Sequence, residues 1–168
     1  PEIKCGFAVT GLIDENAVVE RGRIREGDVL VLTKPLGTGV VSFAAQLGMI
    51  GDGALADAGA SMATLNKDAA GLMIKHGAHA CTDVTGYALM GHLVEMVGDS
   101  GLAARIALQS IPVFAQASAC LRHDIIPGAV ERNQEYSMAW VAVCDSGNSR
   151  DLPILYDPQT SGGLLVAL

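Results

Sequence analysis

The residues best suited to chemistry stand in one short run, Cys81-Thr82-Asp83-Val84-Thr85-Gly86. One carboxylate lies between two threonines, and a glycine follows. Beyond it, Leu89, Leu93, Val94, Met96 and Val97 recur at the three- and four-residue spacings of an amphipathic helix. That order reads as strand, tight turn and helix start. A Thr85 hydroxyl at such a start accepts from the unpaired N–H groups of the first turn. The same N–H groups and the helix dipole favour an anion near Thr82, Thr85 and Gly86. Two readings of Asp83 follow. It either caps the turn, or it holds a hard cation against a bound phosphate.

A second run, Asp157-Pro158-Gln159-Thr160-Ser161-Gly162-Gly163, gathers two hydroxyls and two glycines. Open N–H groups and hydroxyls close together cradle phosphate oxygens. The same residues also make a sharp turn between strands. Lys34-Pro35-Leu36-Gly37-Thr38-Gly39 carries anion donors too, but its lysine precedes the glycines, unlike a Walker loop. The favoured reading there is a strand-to-helix connector. His76 and His79 have a spacing that ligates metal on a helix. Gly77 lies between them and ends the helix, so no metal site is expected.

These runs need elements to hold them. Strands are expected over 6–13, 29–33, 78–82, 102–108, 154–156 and 164–168. Helices are expected over 40–47, over 54–65, over 67–75 with Asn66 as N-cap, and after the Asp83 turn. A further helix opens at Ile111-Pro112-Val113 and runs to about Arg122, with proline in its first turn. Residues 123–136 are polar without an obvious period and read as a loop, and 145–151 are weakly specified. Irregular alternation of this kind indicates α+β, a mixed or antiparallel sheet with packed helices, in a single domain.

The chain has 168 residues, 50% hydrophobic, 4% aromatic, with 20 glycines. It is long and apolar enough for a real core built from Ala, Val, Leu, Ile and Met, which excludes a disordered chain. A formal charge of −7 without a basic cluster argues against nucleic acid, though not against a nucleotide. No apolar run approaches the ~20 residues that span a bilayer. Cys5, Cys81, Cys120 and Cys144 form no CxxC pair, and no signal peptide is recognisable. Reduced thiols in a cytoplasmic protein are expected.

Taken together the motifs are specific. The chain resembles the C-terminal half of selenophosphate synthetases (selenide, water dikinases), in the aminoimidazole ribonucleotide synthetase superfamily. The resemblance rests on Gly6–Gly11, Val31–Gly39, Ala80–His92, Ile126-Pro127-Gly128 with Arg132-Asn133, and Leu155–Leu164, in order along nearly the whole chain. Tyr87, Ala88 and Met90 stand where that family commonly has Phe, Gly and Leu, a mild departure. The resemblance implies an α+β C-terminal domain, residues 1–168, of a longer enzyme. The start at Pro1 without Met, and the stop inside an apolar run, read the same way.

It further implies a reaction in which ATP, selenide and water give selenophosphate, AMP and phosphate. ATP and Mg²⁺ would be bound mainly by an N-terminal domain absent here, which also carries the reactive Cys or selenocysteine and an essential Lys. No catalytic residue is expected in this chain, and Cys5 does not take that role. Asp83 matches the family aspartate that reaches a magnesium ion bridging phosphates. Thr82, Thr85 and Gly86, with Thr160, Ser161, Gly162 and Gly163, are the expected nucleotide or substrate contacts. The full enzyme would be a homodimer, and the chain alone inactive. The alternatives are another ATP-dependent synthetase or kinase of the superfamily, or a non-catalytic binding or assembly domain.

Overall fold

The structure is a computed structural model and describes Gly6, residues 8–144 and residues 149–168. Three short strands form one antiparallel sheet: β1 (Leu30–Leu32), β2 (Ala80–Asp83) and β3 (Leu164–Ala167), in the order β1-β3-β2. β3 is an unbroken apolar run, and Leu165, Val166 and Ala167 are all buried, as a central strand covered on both faces requires. In β2, Ala80 and Thr82 face inward, while Asp83 is exposed. The register sets Thr82 opposite Leu165 and Asp83 opposite Leu164. One further bond, Val84 N–H to Gly163 O at 2.9 Å, carries the ladder past the end of β2. The site loop and the Asp83 turn are thus held side by side.

Six α-helices surround the sheet among the described residues: α1 (Thr38–Gln46), α2 (Asp52–Ala63), α3 (Lys67–Lys75), α4 (Ala88–Val97), α5 (Ala115–Arg122) and α6 (Gly128–Ser137). α1 buries Val40, Val41 and Ala44 completely and packs on α2 and α5. α4 lies against β2 and α6. A 3-10 segment, Ser149–Tyr156, wedges between α4, α5 and α6. The class is therefore α+β, as the sequence indicates.

Several elements differ from expectation, each for a local reason. Residues 8–13 form no strand, and Val9 and Leu12 are almost wholly exposed, so the apolar run there has no sheet edge to pair with among the described residues. Phe7 of that run, like Cys5 and residues 145–148, lies outside the described residues. Residues 102–107 are irregular; Ile106 and Leu108 lean on the core without a ladder. Residues 154–156 are 3-10, not strand, because Ile154, Leu155 and Tyr156 are buried in succession, a pattern that periodicity cannot tell from a strand.

The helix expected from Ile111 begins at Ala115 instead. Pro112 O accepts Leu36 N–H at 2.8 Å and Phe114 N–H donates to Leu36 O at 3.0 Å, which holds the segment extended as a bridge. Residues 128–137, expected as loop, are α6. Its inner face is Val130, Asn133 and Ser137, so the helical spacing is present but written partly in polar residues. Asn133 Nδ2 donates to Gly86 O at 2.9 Å and Tyr156 O at 3.0 Å, and Ser137 Oγ donates to Asn133 O at 2.9 Å. Asn66 occupies the N-cap of α3 without capping it; its Nδ2 donates to Gly162 O at 3.0 Å.

Gly162 has no room for a side chain, since a Cβ there would lie 1.9 Å from Val84 O. Gly59, within α2, has open space around it. Gly162→Ala is expected to cost ~3 kcal/mol by forcing that backbone apart. Gly59→Ala is expected to add ~0.5–1 kcal/mol by relieving helix-interior entropy. Urea unfolding midpoints of the two variants check both signs.

Candidate functional site at the exit of β2

Asp83 is the last residue of β2 and its carboxylate is exposed. Strand alternation puts Cys81 on the same face and Thr82 on the other. Burial pushes the Cys81 thiol up, and the Asp83 charge adds to that. Thr82 is buried, and its hydroxyl donates to Asp83 O at 3.2 Å. Thr82 therefore does not share the open face of Asp83.

Thr85 does not cap α4. The first helical residue is Ala88, Tyr87 holds the cap position, and no side chain caps the end. Three residues are spent on the turn: Thr85 O accepts Ala88 N–H at 2.9 Å and Gln159 N–H at 2.9 Å. The Thr85 hydroxyl instead lies 3.2 Å from Asp83 Oδ2 and 3.2 Å from His92 Nε2. His92 is buried in the second turn of α4. Burial pushes its pKa down, against the opposing pull of Asp83 and Glu95. Gly86 is exposed with open space around its Cα.

The Asp157–Gly163 loop meets this turn. Thr160 and Ser161 are exposed, while Gly162 and Gly163 are buried. Its last three carbonyls are taken: Ser161 O by Lys34 Nζ at 2.9 Å, Gly162 O by Asn66, and Gly163 O by Val84. Thr160 N–H is also taken, by Thr38 Oγ1 at 2.9 Å. What the loop offers outward is its two hydroxyls, beside the Asp83 turn. The structure thus sets the Asp83–Gly86 turn against the Asp157–Gly163 loop, through the bonds of Val84 to Gly163 and of Thr85 to Gln159.

The N-terminus of α1 is closed to ligands by this same loop. Gln159 Oε1 accepts Gly37 N–H at 3.1 Å, Thr38 N–H at 3.3 Å and Thr38 Oγ1 at 3.2 Å. Asp157 Oδ2 accepts Gly39 N–H at 3.1 Å and Gln159 Nε2 at 2.9 Å. Residues 34–39 are a connector, as read. Lys34 Nζ, buried and with its pKa pushed down by burial, ties Ser161 O to Thr64 O at 2.6 Å. His79 Nδ1 is committed to Asp28 Oδ1 at 2.7 Å. Among the described residues no three His, Cys, Asp or Glu side chains are grouped as a metal site.

Sequence reasoning missed Gln159 and Asp157 as caps, and His92 and Lys34 as partners of the site. A signal was present for the first pair: polar residues immediately before a Thr-Ser-Gly-Gly turn, and a glycine, Gly37, where α1 needs a capping side chain. His92 stands one helical face from Tyr87 and Ala88, but nothing in its spacing marks Thr85 as its partner.

The profile of the family "AIR synthase related protein, C-terminal domain" matches residues 25–168, and the chain belongs to that family. The chain is 43% identical over 167 residues to "Selenide, water dikinase" of Geobacter metallireducens, covering 99% of this chain and 48% of that protein. It is 40% identical over 167 residues to the protein of the same name from Pelobacter propionicus, again covering 99% of this chain and 48% of the relative. The chain therefore spans about half the length of the curated relatives it matches. A thiamine-monophosphate kinase structure from Stenotrophomonas maltophilia K279a is similar over 92% of this chain and 43% of its own, with a TM-score of 0.47 and 18% identity.

Asp157 is fully buried, and burial raises its carboxyl from the ordinary 3.8 to about 7, against the opposing bonds from Gln159, Gly39 and Val40. The folded chain then holds this proton more tightly than the unfolded chain. The stabilisation is complete below about pH 4 and is lost as pH rises through about 7, at up to ~1.4 kcal/mol per pH unit in between. Asp157→Asn should flatten that part of the stability profile, which chemical denaturation at a series of pH values checks.

Proposed function

We propose that this chain is the C-terminal domain, residues 1–168, of a selenide, water dikinase that makes selenophosphate from ATP, selenide and water, releasing AMP and phosphate. The similarity to proteins of that name along 99% of the chain carries the reading. The exposed Asp83 carboxylate, on a turn bonded by its backbone to the loop that carries Thr160 and Ser161, supports it at the level of chemistry.

The donor set fits a hard divalent cation in part only. A carboxylate oxygen steadied by Thr85 is the kind of ligand Mg²⁺ takes together with phosphate oxygens and water. One carboxylate is not a cage, so the remaining ligands must come from nucleotide, water and an N-terminal domain. When bound there, Mg²⁺ lowers the charge repulsion on phosphoryl groups. Asp83 would present one oxygen across the cleft. Thr160 and Ser161 would donate to phosphate or substrate oxygens, held by a loop whose Ser161 and Gly162 carbonyls are already engaged. In this reading the whole enzyme is a cytoplasmic homodimer. Its reactive Cys or selenocysteine, and most of its ATP contacts, lie in the other half.

Asp83→Asn in the full-length enzyme is expected to lower kcat by ~100-fold or more with unchanged circular dichroism. A near wild-type rate would reduce Asp83 to a turn residue. Thr160→Ala and Ser161→Ala are each expected to raise the KM for ATP or selenide by ~2- to 12-fold, the worth of one hydrogen bond. The 168-residue chain alone should produce no selenophosphate from ATP and selenide, as followed by phosphorus NMR.

A further inference from the structure

His92 is nearly buried, 7% exposed, in the interior of α4, and carries the one imidazole near the Asp83 turn among the described residues. Its ring is fixed. Tyr87 meets it edge-on, with centroids 6.1 Å apart and planes at 72°. Its Nε2 lies 3.2 Å from Thr85 Oγ1, which in turn lies 3.2 Å from Asp83 Oδ2.

Counting protons orients this chain of contacts. An ionised carboxylate only accepts, and a threonine hydroxyl carries one proton. If the Thr85 proton goes to Asp83, the ring must donate to Thr85. If the ring accepts instead, Thr85 turns its proton away and presents lone pairs to the carboxylate, a repulsive contact. The first arrangement satisfies every partner. It is available to the neutral ring protonated at Nε2 and to the charged ring alike, so it does not depend on the charge of His92.

We propose that His92 is a positioning residue for Asp83: its Nε2–H donates to Thr85 Oγ1, which directs the Thr85 proton to Asp83 Oδ2 and leaves Oδ1 for a ligand. Asp83 as a cation ligand rests on the function proposed above; the proton order itself does not. A carboxylate on a solvent-facing strand end otherwise rotates freely about its side-chain bonds. Here one oxygen is fixed through two side chains to the body of α4. Outer partners of this kind commonly decide how well a carboxylate serves a metal.

The test has two arms on the intact enzyme. In the metal-free protein with ¹⁵N-labelled histidine at pH 8, the His92 signals, assigned by their loss in His92→Gln, should report a proton on Nε2 and a bare Nδ1. A bare Nε2, with the ring's only proton on Nδ1, overturns the proposal, and this arm needs no metal. In the second arm, Mn²⁺ binding in the presence of a non-hydrolysable ATP analogue is read by electron paramagnetic resonance. His92→Phe and Thr85→Val should each weaken it by ~10-fold, the double variant no more than either, and His92→Gln, which keeps an N–H donor, should stay within ~2-fold of wild type. Full affinity in both His92→Phe and Thr85→Val, alongside weakened binding in Asp83→Asn, overturns the positioning role. Full affinity in Asp83→Asn overturns the cation-ligand reading instead, and the ¹⁵N arm still decides the proton order.

Discussion

The contact on which the site depends is the close approach of two backbones, Gly162–Gly163 against Val84 and Lys34. A Cβ at Gly162 would lie 1.9 Å from Val84 O, and one at Gly163 would lie 2.6 Å from Lys34 N. Only glycine permits such proximity. It lets the loop before β3 lie directly on the turn after β2. The rest of the loop secures that placement. Gln159 and Asp157 fill the start of α1, Lys34 and Asn66 hold two of its carbonyls, and Thr38 holds the Thr160 N–H.

The loop is thus bound more by buried polar bonds than by apolar packing. Such bonds add modest net stability when made and are costly when one partner is lost. They specify one conformation, because each donor and acceptor has a single match. Two atoms do not follow this pattern: Asp157 Oδ1 and Asn66 Oδ1 are buried without a partner among the described residues. A proton on Asp157 removes the charge that would otherwise sit unmatched there, in keeping with its raised pKa.

Much of this was legible beforehand, and the residues show why. β1, β2, β3 and α1 to α4 follow apolar spacing and glycine breaks, and the structure keeps them within a few residues of expectation. The Asp83 turn and the Asp157–Gly163 loop stand out by composition alone. What spacing could not reveal is polar burial. α6 hides its inner face in Asn133 and Ser137, so its period is invisible to any hydrophobic pattern. Thr85 looks like a cap because its neighbours in sequence suggest one, whereas its partner, His92, is brought round by a helix that starts later than expected. The opposite error occurs at 8–13, where strand-forming residues have no edge to join. Pairing is a tertiary property, and β propensity reports only a fit to a pleated surface.

The sheet order has a consequence for how the molecule comes into being. Among the described residues β1 and β2 do not pair with each other; each is bonded to β3, which follows both of them in the chain. Until residues 164–167 have left the ribosome, two strands are present without the partner that joins them. Pairings this distant along the chain are entropically slow to close. Bare strand edges waiting in that interval are natural templates for intermolecular pairing. Nascent chains of this protein should therefore be open to such pairing in that interval, with the helical parts formed and the sheet still to be zipped from its middle.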